Sequence, residues 1–274
     1  MKKTILALVV ASMAISAFAH DSEKLLIKGR ITSFTKTEYT VTTKFGDFFR
    51  SVSAKYVHVF DESGLETETS TYNGKDVLVD KMTYSYDSNR NLTSEILTDA
   101  GGNIICKIEL EYLADGKVKT ESEYDAKGNL TGKTIYKYDG KTVTESYYSG
   151  DGDLLSRTIC TVDAENRPIT MRSYDGDGRA TESRSYTYLD NGSISQIENF
   201  NEYNARTARI VYRYDASGNI SEIQTYNSLG ILQQRDIYKV DAKGNPTKIN
   251  VYLVAEKFGS TVNELQAITE YAYK

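Results

Sequence analysis

Apolar and polar residues alternate along most of this chain with a period of two. Thr134, Tyr136 and Tyr138 fall on one face of such a segment, and Lys133 and Lys137 fall on the other. This alternation, together with many Thr, Tyr, Ile and Val residues, is typical of β-strands with two unlike faces. The pattern predicts an all-β protein.

The strands are separated by turns that recur at a fixed spacing. In Asp125-Ala126-Lys127-Gly128, Asp suits the first turn position and Gly suits a position with positive φ. Tyr-x-Tyr motifs begin at Tyr84, Tyr136, Tyr186 and Tyr212, at intervals of 52, 50 and 26 residues. A second series of mostly aromatic positions keeps the same period, with one step of 24 residues: Tyr72, Thr98, Tyr124, Tyr148, Tyr174, Phe200 and Tyr226. Each 26-residue period therefore holds two strands and two turns, and the shorter step reflects a turn that lacks two residues.

The repeat predicts an antiparallel meander of about sixteen strands between residues 50 and 252. An open sheet of that size would extend roughly 75 Å, and open sheets rarely exceed about ten strands without curling. We therefore expect a curled or elongated single-layer array. Its predicted parts are a signal peptide (1–19), an N-terminal β-hairpin cap (20–60), the repeat array (61–252) and a C-terminal cap strand (253–274).

The first residues have the form of a secretory signal. Lys2 and Lys3 precede an apolar run over residues 4–15, and Ala17-Phe18-Ala19 fits a signal-peptidase site. The apolar run is shorter than the roughly 20 residues that span a bilayer, and no later stretch approaches that length. We expect cleavage after Ala19 and a mature chain in the periplasm or outside the cell that does not span the membrane.

Composition narrows the class of protein further. The chain has 22 Tyr, no Trp and two Pro, and its formal net charge is −5. The negative charge argues against a nucleic-acid partner. Apolar residues with Gly make up roughly 38% of the chain, below the 45–50% usual in globular domains, so any apolar core is thin.

The motifs resemble those of the YD-repeat, or RHS-type, proteins, whose units read Tyr-x-Tyr-Asp-x-x-Gly-Asn-Leu. The best matches are residues 124–130, 136–139 and 212–220, and the resemblance covers about 190 residues. It implies curled β-sheet shells or fibres on bacterial surfaces that bind carbohydrate, mediate adhesion or enclose a toxin. This chain has a longer period and lacks the family's cleavage motif and toxin domain, so short periplasmic YD or MORN-like repeat proteins are the nearer comparison.

Residues that could perform catalysis or hold a metal are few. His20 would begin the mature chain and could bind copper together with His58, but His58 also occupies a Tyr-x-Tyr slot of the repeat. Cys106 and Cys160 fall about four strands apart, too far for a disulfide in an uncurled sheet, and neither has a neighbouring base.

Two aspartate-rich turns, at 151–153 and 175–178, hint at calcium loops. Neither has the glutamate that the twelfth loop position requires. We therefore predict no metal and no other cofactor.

The tyrosine ladder is the main candidate for a binding site. Tyr84, Tyr136, Tyr186 and Tyr212 could stack sugar rings if their face were open to solvent, whereas the alternative is that they form the thin core. We expect an exported, non-enzymatic protein that binds cell-envelope polysaccharide or protein, or gives structural support. An outer-membrane β-barrel is the alternative, suggested by the even strands, and a hydrolase is a third reading without a motif of its own. The sequence leaves the oligomeric state open.

Overall fold

The chain folds into a continuous series of antiparallel strands. The computed structural model describes residues 27–44, 47–257 and 259–274. The strands are β1 (Ser33–Lys44), β2 (Asp47–Phe60), β3 (Glu66–Asn73), β4 (Leu78–Tyr86), β5 (Leu92–Asp99), β6 (Ile104–Tyr112), β7 (Val118–Asp125), β8 (Leu130–Asp139), β9 (Thr142–Ser149), β10 (Leu154–Val162), β11 (Pro168–Asp175), β12 (Ala180–Tyr188), β13 (Ile194–Asn201), β14 (Arg206–Tyr214), β15 (Ile220–Asn227), β16 (Leu232–Val240), β17 (Pro246–Lys257) and β18 (Ser260–Tyr273). Sixteen of them, β2 to β17, lie wholly or mostly between residues 50 and 252, so the predicted antiparallel meander is confirmed.

The sheet closes on itself. Each strand pairs with its neighbour in sequence, and β1 also pairs with β18, from Phe34 opposite Tyr273 to Thr40 opposite Ala267. The protein is therefore a closed β-barrel of 18 strands, and the prediction of a curled or elongated open array was wrong. Pairing the two end strands leaves the ring without a free sheet edge, which is the usual reason that long meanders close.

Turn chemistry explains why the strands end where they do. In the β7–β8 turn, Asp125 Oδ1 accepts the backbone N–H groups of Lys127 at 2.8 Å and Asn129 at 2.9 Å. Gly128 follows with a φ of 80°, which a residue with a side chain rarely adopts. The same side-chain cap recurs at other turns, so the aspartate-to-glycine spacing read from the sequence does fix the hairpins.

One face of the sheet points into the barrel. Cross-strand pairing links one inward row through the first six strands: Phe34, His58, Thr69, Met82, Leu97 and Cys106. Along β8, Gly132 and Tyr136 of the inward set are buried, whereas Ile135 and Lys137 of the other set are exposed. The predicted division of this strand into two unlike faces is confirmed.

Side chains do not fill the barrel. The buried apolar residues in the described part of the chain are Phe34, Ile108, Tyr136, Cys160, Val162, Met171 and Ile268. All but Ile268 lie on the inner face, and the other inward apolar and aromatic side chains are only partly covered. A round barrel of 18 tilted strands has a backbone diameter of roughly 30 Å, which is wide enough to leave an open lumen.

The two ends of the barrel differ. The four strands around the seam, β1, β2, β17 and β18, have 12 to 14 residues, whereas the others have 8 to 10, so two hairpins extend beyond one rim. At the other rim the segment before β1 crosses neighbouring turns, where Lys28 Nζ donates to Asn219 at 2.5 Å and Asn245 Nδ2 donates to the Lys28 carbonyl at 3.0 Å. The proposed signal peptide lies outside the described residues, and the division into caps and array stays a prediction.

No helix among the described residues is long and apolar enough to cross a membrane.

Candidate lumen-facing site

The four tyrosines singled out from the sequence all face the lumen. Tyr84, Tyr136, Tyr186 and Tyr212 take equivalent positions on β4, β8, β12 and β14. Burial raises the pKa of Tyr84, Tyr186 and Tyr212, and the Tyr136 hydroxyl lies 3.4 Å from Glu121 Oε2. The ladder is thus part of the lumen wall and not an outward platform, and a role in ligand binding stays a prediction.

Each ladder position is paired with a residue on the next strand, and the type of that residue changes around the barrel. The change separates a glutamate wall from an apolar wall. Thr69 faces His58, and from β5 onwards the facing residues are, in chain order, Glu95, Glu121, Glu145, Met171, Ile197, Ile223 and Ile249. They repeat with the 26-residue period of the tyrosines, apart from the one step of 24. Glutamate therefore occupies this slot on β5, β7 and β9, and an apolar residue occupies it on β11, β13, β15 and β17. The 26-residue period also applies to these facing positions. It could have revealed the change from glutamate to apolar residues, but only the aromatic positions were compared in the sequence.

Burial and mutual repulsion control the charge of the glutamate wall. Glu145 is 6% exposed and has no hydrogen-bond partner among the described residues. Burial, with the nearby charge of Glu121, raises the pKa of Glu145 to about 7. Burial also raises the pKa of Glu123, whose Oε2 lies 3.4 Å from the Tyr147 hydroxyl. Glu145 consequently gains its negative charge as the pH rises through neutrality.

Cationic groups on the inner face are fewer than carboxyl groups. Lys36 pairs with Glu38 at 3.2 Å, and Arg184 pairs with Glu182 at 3.2 Å. No lysine or arginine lies in the register rows that join β5, β7 and β9 at the glutamate slot. Carboxyl groups therefore outnumber lysine and arginine side chains in these inward rows.

His58 replaces a tyrosine in the ladder, as the repeat predicted. Its ring stacks on Phe34 with centroids 4.1 Å apart, and its Nδ1 lies 2.6 Å from Glu66 Oε1. Thr69 Oγ1 also donates to Glu66, at 2.5 Å. His20, the other half of the copper hypothesis, lies outside the described residues, and no cluster of three His, Cys, Asp or Glu side chains within them could hold a metal ion.

The second tyrosine of each motif joins neighbouring strands, a role that the sequence analysis missed. Its hydroxyl donates to a backbone carbonyl twenty residues earlier, near the start of the preceding strand. These bonds join Tyr86 to Glu66 (2.8 Å), Tyr112 to Leu92 (2.7 Å), Tyr138 to Val118 (2.8 Å), Tyr188 to Pro168 (2.7 Å) and Tyr214 to Ile194 (2.6 Å). The second tyrosine of each motif therefore has a structural role, because it holds two neighbouring strands together.

The other candidate residues lie apart from the glutamate wall or are used structurally. Both cysteines are free, and Cys160 is fully buried against Val162 and Met171. In one aspartate-rich turn, Asp175 accepts the Arg179 backbone N–H at 2.8 Å. These contacts account for Cys160 and Asp175 without requiring a bound ligand.

Comparison with known proteins gives limited information. A family model described as "Uncharacterised protein" matches residues 36–155, which is less than half of the chain. No curated protein matches the chain significantly. The resemblance to YD-repeat proteins accordingly stays a prediction.

Several solved structures are similar over most of this chain. A porin-like protein from Bacteroides uniformis is 11% identical with a TM-score of 0.33, and the match covers 89% of this chain and 96% of that one. A LolA superfamily protein from Nitrosomonas europaea is 9% identical with a TM-score of 0.26, covering 94% and 90%. A Photorhabdus luminescens Tc holotoxin pore structure is 13% identical with a TM-score of 0.23, covering 84% of this chain but 19% of that one. All three TM-scores lie below 0.5, so none of these similarities establishes a relationship.

Proposed function

We propose that this chain is an exported, non-enzymatic binding barrel that takes an amphiphilic organic cation into its lumen. The observation that supports this ligand class is the change at one inward slot, from glutamate on β5, β7 and β9 to methionine or isoleucine on β11 to β17. Export rests on the signal-like sequence before Ala19.

The two walls match the two parts of such a ligand. A cationic head group gains from the negative charge of the glutamate wall, and it also interacts favourably with tyrosine ring faces. An apolar tail gains by leaving water for the side occupied by Ile197, Ile223 and Ile249. Neutral sugars and anions lack one or both of these interactions.

The closed barrel agrees with the barrel part of the outer-membrane alternative, but we infer from the outer surface that this barrel faces water. Lys133 and Lys137 point outward from the middle of β8, on either side of Ile135. A lysine on the lipid-facing side of a membrane barrel costs about 2–4 kcal/mol at the bilayer midplane. Most strands have only 8 or 9 residues, so with a usual tilt they rise about 20–23 Å, less than the roughly 25 Å apolar band of membrane barrels.

Calorimetric titration with octyltrimethylammonium tests the proposal. We expect saturable binding at pH 8 and none of the octyl sulfate anion, which has the same tail. Tetramethylammonium, which lacks the tail, should bind much more weakly. Equal binding of the cation and the anion would contradict the proposal, as would no binding of either.

Variants then connect binding to the glutamate wall. Because Glu145 ionises near pH 7, affinity for the cation should fall between pH 8 and pH 6, and Glu145→Gln should remove most of that change. Glu109→Gln is the matched control, since Glu109 lies on the outer face beside Lys107. An unchanged pH profile in Glu145→Gln would place the binding elsewhere.

A further inference from the structure

A belt of cation–aromatic pairs surrounds the outside of the barrel. On the even-numbered strands from β2 to β16, one outward slot holds in turn Lys55, Lys81, Lys107, Lys133, Arg157, Ser183, Arg209 and Arg235. Directly opposite on the following strands lie Tyr72, Thr98, Tyr124, Tyr148, Tyr174, Phe200, Tyr226 and Tyr252. The second series of mostly aromatic positions, from Tyr72 to Tyr226, therefore supplies the aromatic partners of this belt.

At two positions of the belt the cation covers its aromatic partner. The Lys55 ammonium lies 4.4 Å from the centre of the Tyr72 ring, and the Arg209 guanidinium lies 4.4 Å from that of Tyr226. These pairs stabilise the sheet through cross-strand packing and need no ligand.

The belt is interrupted at Ser183. Its short side chain faces Phe200, so β12 places no cation opposite this ring. On the other side Phe200 is paired with Arg206 of β14, whose guanidinium forms an ion pair with Glu198 at 3.1 Å. Two adjoining grooves of about 350 and 340 Å³ open here on the outer face of β10 to β13, and both are lined by Ile159 and Tyr174. Their volume is at the lower end of that of small-molecule sites.

Two guanidinium groups without an ion pair lie beside these rings. Arg157 and Arg172 are exposed and line the grooves, and neither has an ion-pair partner among the described residues. The two carboxylates at the rim, Asp175 and Asp177, both pair with Arg179. The grooves thus offer aromatic faces with free positive charge.

We propose that these grooves bind a carboxylated sugar unit of an acidic polysaccharide. Tyr174 and Phe200 lie two strands apart and two residues out of register, about 12 Å, and can contact the apolar faces of neighbouring sugar rings. Arg157 and Arg172 can each hold a carboxylate through paired hydrogen bonds. This outer site is separate from the cation site proposed for the lumen, and either could fail without the other.

The test compares trigalacturonate with its methyl ester, which keeps the same rings without charge. Binding followed by calorimetry at low and moderate salt should be saturable for the acid and at least tenfold weaker for the ester. Arg172→Ala should weaken acid binding about tenfold, whereas Arg213→Ala, an exposed arginine on the outer face of β14, should leave it nearly unchanged. Equal loss in both variants would indicate nonspecific charge attraction and overturn the proposal.

Filling the gap in the belt provides a second, independent test. Ser183→Arg restores the residue type found at equivalent positions, so the new side chain should cover Phe200 and close the groove. It adds positive charge, yet we expect it to abolish binding of trigalacturonate. Tighter binding would contradict the proposal, and so would Arg172-dependent binding to anionic lipid vesicles without any binding of the sugar acid.

Discussion

Replacing Glu145 with Gln should remove a large part of the pH dependence of folding. The unfolded carboxyl titrates near its ordinary pKa of 4.5, whereas burial and Glu121 raise the folded pKa to about 7. Between these values the folded protein holds a proton that the unfolded chain has released, so stability falls as the pH rises. A difference of about 2.5 pKa units corresponds to about 3 kcal/mol.

The assay is urea unfolding followed by circular dichroism at pH 5, 6, 7 and 8. Wild-type protein should lose up to about 3 kcal/mol of stability from this group across the series, and Glu145→Gln should lose correspondingly less. Glu109→Gln, on the solvent-exposed outer face, should follow the wild type. If the difference in unfolding free energy between Glu145→Gln and the wild type is constant across this pH range, folding does not raise the pKa of Glu145 and the reasoning is refuted.

Three further predictions concern the barrel wall. Tyr138→Phe should cost about 1 kcal/mol because its hydroxyl loses a backbone carbonyl partner, whereas Tyr203→Phe, at an exposed turn position, should cost nothing measurable by urea unfolding. Cys160, whose pKa is raised to about 11 by burial and a nearby carboxylate, should resist a thiol reagent at pH 8 until the protein is denatured, and rapid labelling of the native protein would disagree. Gly150→Ala should lower stability by about 1–3 kcal/mol because a Cβ there would overlap the Leu130 carbonyl oxygen, and an unchanged urea midpoint would rule out that close approach.

Strands and turns could be predicted from the sequence because their causes are local. Side-chain alternation and the Asp-x-x-Gly turns act within a few residues, and both give the same signal in an open or a closed meander. Closure depends on Phe34 meeting Tyr273, a pairing between the two ends of the chain that no local pattern encodes. For that reason the strand order was predicted correctly and the open array was not.

Only part of the candidate site could be predicted from the sequence, for a related reason. The period located Tyr84 and Tyr136, but which face becomes the inside follows from closure. Once the inside is known, Glu95 and Glu121 stand out as carboxyls facing a lumen, whereas in the sequence they resemble ordinary polar strand residues. The outer groove likewise depends on one serine among cations, whose effect appears only when the partner strand is known.

Closure of the barrel is the claim on which the lumen and the cation site proposed within it depend, and a cross-link across the seam tests it most directly. Thr35 and Ala272 are directly paired on β1 and β18, so Thr35→Cys with Ala272→Cys should form a disulfide under mild oxidation, identified by peptide mapping. Thr35→Cys with Val57→Cys joins adjacent strands and should form in an open or a closed sheet. A disulfide in both double variants is the result expected for the closed barrel; a disulfide in the second alone would contradict it.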